Sequence, residues 1–429
     1  MEMKTRAYIL LLMMTALTFW SCDDDTQYVS QEKLAIKVFP IKSLTDPCLL
    51  PDGSIVTLTV DDQADISPTT PGSLSYHLVK LSTDGIITQS PDIKYKIESN
   101  RPEANIGQLN FANYNIDDID ITSSGEVYFK YLSRNGRFLV STFETGAYID
   151  TVTSKFVSGK FHGGVPLNDG TYAVVHGNDP VLTIFDSNGE WQKDLSLPYI
   201  HYNNDDTCQV FGICGNIMIM NTDESKTEHE FYVFSPSGEN LNYGTSNFIY
   251  ERIVNITDPA TQTHTHSYAI NSGSLTLSDD EESSSSETTG CILTKLDNKG
   301  CILYQKEFPF VDICNVIEHD GKLIMSGYYA PQSYETFSIN EYMRTATTIK
   351  GKIAIVDAET GDGDDSDTYT ISFEGGVMPF AAVPDSNGEY DIFMARIFSD
   401  DAGQMGDNNQ FTESIYLYHI DDLNKLQIE

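Results

Sequence analysis

The segments Cys291–Gln305, CILTKLDNKGCILYQ, and Ile317–Gly327, IEHDGKLIMSG, decide the fold. Each sets two runs rich in Ile, Leu, Val and Tyr on either side of a short polar stretch that ends in glycine. β-branched and aromatic residues suit a pleated strand, and glycine supplies the positive φ that a tight antiparallel turn requires. Both segments therefore read as β-hairpins, and they stand next to each other in the chain.

The same grammar extends outward in both directions. One kind of hairpin reads LLPDGSIVTLTV from Leu49, DITSSGEVYFKY from Asp120, PLNDGTYAVVHG from Pro166, FGICGNIMIMN from Phe211, IEHDGKLIMSG from Ile317 and AVPDSNGEYDIFMAR from Ala382. A second kind is interleaved with it, from Tyr76, Phe138, Val181, Phe231, Cys291, Lys352 and Ser414. Helical spacing of apolar residues is nowhere sustained. Two hairpins make a four-stranded antiparallel sheet, and the second-kind turns recur every forty-five to sixty residues or so, the period of a β-propeller blade. Seven second-kind hairpins predict an all-β propeller of seven blades. One first-kind hairpin is missing from the series, so Tyr250–Gly273 must supply it; if that stretch is an insertion, six blades remain. The early run Lys33–Ile41 is placed to pair with the last blade and close the ring.

These phrases, TKLDNKGCILYQKEF and VIEHDGKLIMSGYY above all, resemble the repeats of uncharacterised surface lipoproteins and secreted propeller proteins of Bacteroidetes, in the broad NHL, kelch and quinoprotein-like group. The resemblance implies an architecture for residues 33–429 and no activity, because propellers serve as scaffolds, receptors, hydrolases and lyases alike.

The amino terminus carries an address. Lys4 and Arg6 precede the apolar run Ala7–Phe19, which is too short to span a bilayer and has the layout of a secretory signal. Ser21 before Cys22 resembles a lipobox, with Phe19 where the pattern usually has Leu. The resemblance implies a signal peptide over 1–21, acylation of Cys22 and a tether over 22–32. Asp23, Asp24 and Asp25 resemble the surface-export signal of Bacteroidetes lipoproteins, which implies an outer-membrane, surface-exposed protein. An ordinary cleaved signal with a spare cysteine is the alternative.

Loss of the leader takes the formal charge from −37 to −38. Such a chain repels phosphate backbones and anionic headgroups, so nucleic-acid binding is excluded and membrane contact is expected through acyl chains. Six cysteines remain beyond Cys22, an even number that permits disulfides in an exported protein without requiring them. A hairpin turn at Asp297–Gly300 would keep Cys291 and Cys301 from facing each other.

In a four-stranded blade the first-to-second and third-to-fourth turns share one end of the ring. The second-to-third loops and the links between blades share the other. The long segments fall on that second end: those from Asp61, Ser274, Tyr328 and Phe398, with the links around Arg101 and Leu197. Long loops on a rigid scaffold are where function is usually carried. Candidate ligand-binding residues there are Asn113, Tyr114, Tyr199, His201, Tyr202, Tyr328, Tyr329 and Tyr334, rings and amides able to stack on and hydrogen-bond to sugars or extended peptides.

Catalytic and metal motifs are absent: no GxSxG elbow, no HExxH helix, no phosphate-cradling glycine loop and no zinc-site cysteine spacing. His264 and His266 would share a face if THTH is a strand, half of a metal site or an inter-strand contact. The acidic runs at Asp279 and Asp362 lack the twelve-residue calcium loop, though the second has carboxylates suited to calcium. No resident cofactor is expected. The expected protein is a monomeric, non-catalytic propeller that binds a glycan or protein. A polysaccharide hydrolase or lyase and a structural envelope subunit are the alternatives.

Overall fold

The structure, a computed structural model, describes residues 35–39, 48–50, 52–60, 76–89, 119–121, 127–132, 138–142, 148–150, 161–167, 171–176, 181–186, 191–197, 208–221, 227–258, 261, 263–272, 275–276, 287–288, 290–329, 350–363, 368–371, 377–396 and 415–423. Among them no helix is long and apolar enough to cross a membrane.

After β1 (Ala35–Phe39), blade one is β2 (Cys48–Leu49), β3 (Ile55–Val60), β4 (Tyr76–Leu81) and β5 (Ile87–Gln89). Blade two is β6 (Ile119–Ile121), β7 (Val127–Leu132), β8 (Phe138–Thr142) and β9 (Tyr148–Asp150). Blade three is β10 (Phe161–Pro166), β11 (Tyr172–His176), β12 (Val181–Phe185) and β13 (Trp191–Ser196). Blade four is β14 (Cys208–Ile213), β15 (Asn216–Asn221), β16 (His229–Phe234) and β17 (Asn240–Ser246). Blade five is β18 (Arg252–Asp258), β19 (Thr263–Asn271), β22 (Cys291–Asp297) and β23 (Ile302–Phe308), with the ribbon β20 (Leu275–Thr276) and β21 (Glu287–Thr288) inserted. Blade six is β24 (Asp312–His319), β25 (Lys322–Tyr329), β26 (Lys350–Asp357) and β27 (Thr368–Ile371). Blade seven is β28 (Val377–Pro384), β29 (Tyr390–Arg396) and β30 (Ile415–Ile420), completed by β1.

Seven four-stranded antiparallel sheets result, as the seven second-kind hairpins predict. Residues 250–273 are no insertion: they hold β18 and β19, the first hairpin of blade five. The hairpin expected from Ser414 is split between the two ends of the chain. β30 pairs antiparallel with β1, Phe39 opposite Ile415 and Ala35 opposite Tyr418. β1 therefore enters the sheet at the tight-turn end and leaves it toward the long-loop end.

Packing explains why the second strand of a blade reads as an unbroken apolar run rather than an alternating one. In β15, Ile217 and Ile219 join a cluster with blade three, while Met218 and Met220 join one with blade five. β25 splits likewise, Leu323 and Met325 toward blade five and Ile324 toward blade seven. Blades four to seven are thus buried on both faces, and the core described there lies between blades. The seam between blades seven and one is of the same kind. There Phe39, Phe393, Ile415 and Leu417 pack with Ile55, Val79 and Leu81.

The turns share a chemistry. At Asp297–Gly300 the Gly300 N–H donates to the Asp297 carbonyl at 2.9 Å, and Asp297 Oδ1 accepts from the backbone of Lys299 and Cys301, both at 2.8 Å. Asp385–Gly388 repeats this arrangement, its Oδ1 accepting from Asn387 and Glu389 at 2.8 Å each. A short acceptor side chain at the first position and glycine at the fourth (φ 78 at Gly300, 83 at Gly388) are what such a bulged hairpin loop needs. No disulfide joins the six described cysteines, and Cys291 stands opposite Phe308, away from Cys301.

Candidate functional site

The two ends of the ring differ as expected. One end is closed by turns of a few residues, at 50–54, 82–86, 214–215, 235–239, 297–301, 320–321 and 385–389. The strands open at the other end onto the long connections 61–75, 90–118, 198–207, 272–290, 330–349 and 397–414. Asn113, Tyr114, Tyr199, His201, Tyr202 and Tyr334 fall in these connections, outside the described residues, as does Cys22. Tyr328 and Tyr329 close β25 at the long-loop end.

Blades five and six meet at that end around one ion pair. Arg252 opens β18 and Asp312 opens β24; Nη2 of Arg252 donates to both carboxylate oxygens, at 2.9 and 3.0 Å. Nη1 reaches the Cys314 carbonyl at 3.4 Å. The Ser272 hydroxyl, just past β19, lies 2.5 Å from Glu251 Oε2 and 3.3 Å from Asp312 Oδ1, bringing a second carboxylate into the group. Tyr328 stands directly opposite Asp312 in the β24/β25 ladder, and its carbonyl accepts the Val311 N–H at 2.9 Å. Residues opposite each other in an antiparallel pair project to the same face, so Tyr328 belongs to this rim.

Gly327 makes the approach possible. A Cβ there would sit 2.1 Å from the Asp312 carbonyl oxygen, so any other residue would push β25 off β24 at the start of the strand. The ladder bulges just beyond, between Ile313 and Asn315. Sequence reasoning names Tyr328 and does not reach Arg252, Ser272, Glu251 and Asp312, because pairing across sixty residues leaves no local pattern. The rim brings a guanidinium, two carboxylates and a hydroxyl within hydrogen-bond reach of one another, with Tyr328 on the neighbouring strand, a set suited to recognising hydroxyl-rich or amide-bearing ligands by hydrogen bonds.

A second polar cluster joins the same two blades at the tight-turn end. Glu318 Oε1 accepts from His266 Nε2 at 2.7 Å, from Lys295 Nζ at 3.0 Å and from the Tyr268 hydroxyl. Lys295 also reaches the Ala358 carbonyl at 2.8 Å and lies over the Tyr268 ring, 5.4 Å from its centre. Burial pushes the Glu318 carboxyl up, but the bonds from His266, Tyr268 and Lys295 outweigh it and hold the group down at about 2. The same burial, with Glu318 beside it, raises the Tyr268 phenol far above its ordinary value. His264 instead lies 3.1 Å from the Thr257 hydroxyl. THTH is thus a strand whose histidines serve different partners, His266 as an inter-blade clamp.

Carboxylates able to hold a cation are also engaged with protein. Asp362 meets Lys306 at 2.5 Å, so the acidic run there has its counter-ion built in. Asp385, Glu389 and His419 bring their ligand atoms within 4.8 Å of one another. His419 is spanned by Asp391 on Nδ1 at 2.8 Å and Glu389 on Nε2 at 2.7 Å, and these two bonds raise its pKa.

No protein-family model matches the chain, and no curated protein does. Solved structures align with it at low identity and with TM-scores below 0.5. A protein of unknown function from Bacteroides caccae is 11% identical over 66% of this chain and 86% of its own, with a TM-score of 0.34. The WD40 domain of Toxoplasma gondii coronin is 10% identical over 92% of this chain and 87% of its own, TM-score 0.41. YCF48 from Cyanidioschyzon merolae is 11% identical over 90% and 99%, TM-score 0.43. What those proteins do stays with them; the propeller fold stands on the seven sheets.

Proposed function

We propose that this chain is a lipid-anchored propeller of the cell envelope, held through Cys22 at the outer membrane, that binds a surface glycan or protein through its long-loop end without catalysis. The observation that carries this reading is the gathering of the longest connections at one end, around the Arg252–Asp312 rim, while the other end is closed mostly by short turns. Asn113, Tyr114, Tyr199, His201, Tyr202, Tyr329 and Tyr334 are proposed to complete the surface begun by Tyr328. The acidic chain argues against nucleic acid as the partner and for neutral glycans or basic protein segments.

Replacing 330–349 with a short glycine linker tests it. Binding to a glycan or protein captured by the intact protein should be abolished while the thermal transition persists; undiminished binding overturns the assignment of this end. A second reading, a polysaccharide hydrolase or lyase, draws on Glu251 and Asp312, two carboxylates from different blades that share the Ser272 hydroxyl. Turnover of any member of a polysaccharide panel, lost in Glu251→Gln, would replace the binding reading with this one.

A further inference from the structure

We infer that the tight-turn end of the ring faces the membrane and the long-loop end faces away from it. The inference rests on the proposed acylation of Cys22 and deepens that reading by fixing which surface a partner meets. β1 is the outermost strand of blade seven, and its register, Ala35 opposite Tyr418 and Phe39 opposite Ile415, sets its direction. Ile415 follows the connection 397–414 at the long-loop end, so Ala35 lies toward the tight turns. The chain from Cys22 therefore joins the propeller at the tight-turn end. Residues 23–34 span at most roughly 45 Å at about 3.5 Å per residue. To bring the long loops to the bilayer, that reach would have to run back along the whole blade, about 20 Å of strand plus its loops.

Charge at the tight-turn end sets how closely it approaches. The exposed residues described there include Asp84, Asp320, Glu359, Asp421 and Asp422 against Lys299 and Lys322. Among the described residues this end has no basic patch for anionic headgroups, so it faces the bilayer on its tether without adhering to it.

The full-length lipidated protein in phosphatidylcholine vesicles with a headgroup acceptor dye tests the orientation. Cys301, the one exposed thiol among the described cysteines, lies in the Asp297–Cys301 turn and takes a donor dye directly. Asn247→Cys in a Cys301→Ser background places the donor at the long-loop end, and Thr245→Cys is its duplicate. Energy transfer to the bilayer should be at least twofold more efficient from Cys301 than from 247 or 245, and 20% anionic lipid should not raise it. Vesicle association that is lost in Cys22→Ser, together with equal or reversed transfer, overturns the orientation and leaves the anchor standing. Association that is missing in the intact protein, or unchanged in Cys22→Ser, overturns both.

Discussion

Arg252 and Asp312 hold blade five to blade six at the long-loop end through one guanidinium nitrogen that reaches both carboxylate oxygens, with only 20% and 15% of the two side chains exposed. A pair so placed is judged best by breaking it. Arg252→Ala leaves a largely buried carboxylate without its counter-charge, and a loss of about 3 kcal/mol is expected. The double replacement Arg252→Met with Asp312→Leu should cost less than the single one. Chemical denaturation of the three variants measures both effects.

Gly327→Ala tests the close approach beneath that pair. The added methyl meets a backbone oxygen rather than a side chain that can swing aside, so a destabilisation of about 3 kcal/mol and weakened partner binding are expected. Gly388→Ala is the comparison: its φ is 83 but nothing lies within 4 Å of the new Cβ, and only backbone strain of about 1 kcal/mol should appear. Equal losses in thermal denaturation would remove the special role given to Gly327.

Glu318 predicts how the ring responds to acid. Its carboxyl is depressed to about 2 in the folded protein, so the stability it contributes is complete above its unfolded value near 4.5 and is lost as pH falls toward 2. After allowance for partial solvent screening, that contribution is on the order of 2 kcal/mol. Glu318→Gln should flatten the stability profile between pH 4.5 and 2 while lowering stability at pH 7, where Lys295 loses its counter-charge. Melting temperatures across pH 2–7 for both proteins provide the check.

Closure of the ring predicts a contrast between neighbours in β1. Phe39 is fully buried in the seam between blades seven and one, whereas Val38 is 45% exposed. Phe39→Ala should cost about 3–5 kcal/mol, and Val38→Ser should stay within about 0.5 kcal/mol. Similar losses at both positions, measured by urea denaturation, would mean that β1 does not seal the ring.

The architecture was legible because its turns are local. Asp297 and Gly300, or Asp385 and Gly388, carry the whole signal for a hairpin within four residues. The first hairpin of blade five was harder to read because its turn, between Asp258 and Thr263, has no glycine and its position was known only from the gap it fills. The last blade's outer strand lies at the opposite end of the chain, and an even period cannot show which end supplies it. The polar contacts that join blades were illegible for a different reason. His266 looked like half of a metal site beside His264, and only the arrival of Glu318 from the next blade shows what its ring nitrogen does. Such pairs are fixed by how sheets stack, and stacking leaves no spacing in the sequence.

Because β1 precedes blade one in the chain while β28, β29 and β30 follow blade six, the circle cannot close until strands from both sides of the series have met. A chain cut within 397–414, ahead of β30, keeps six complete blades and leaves β1 without the strand it pairs with.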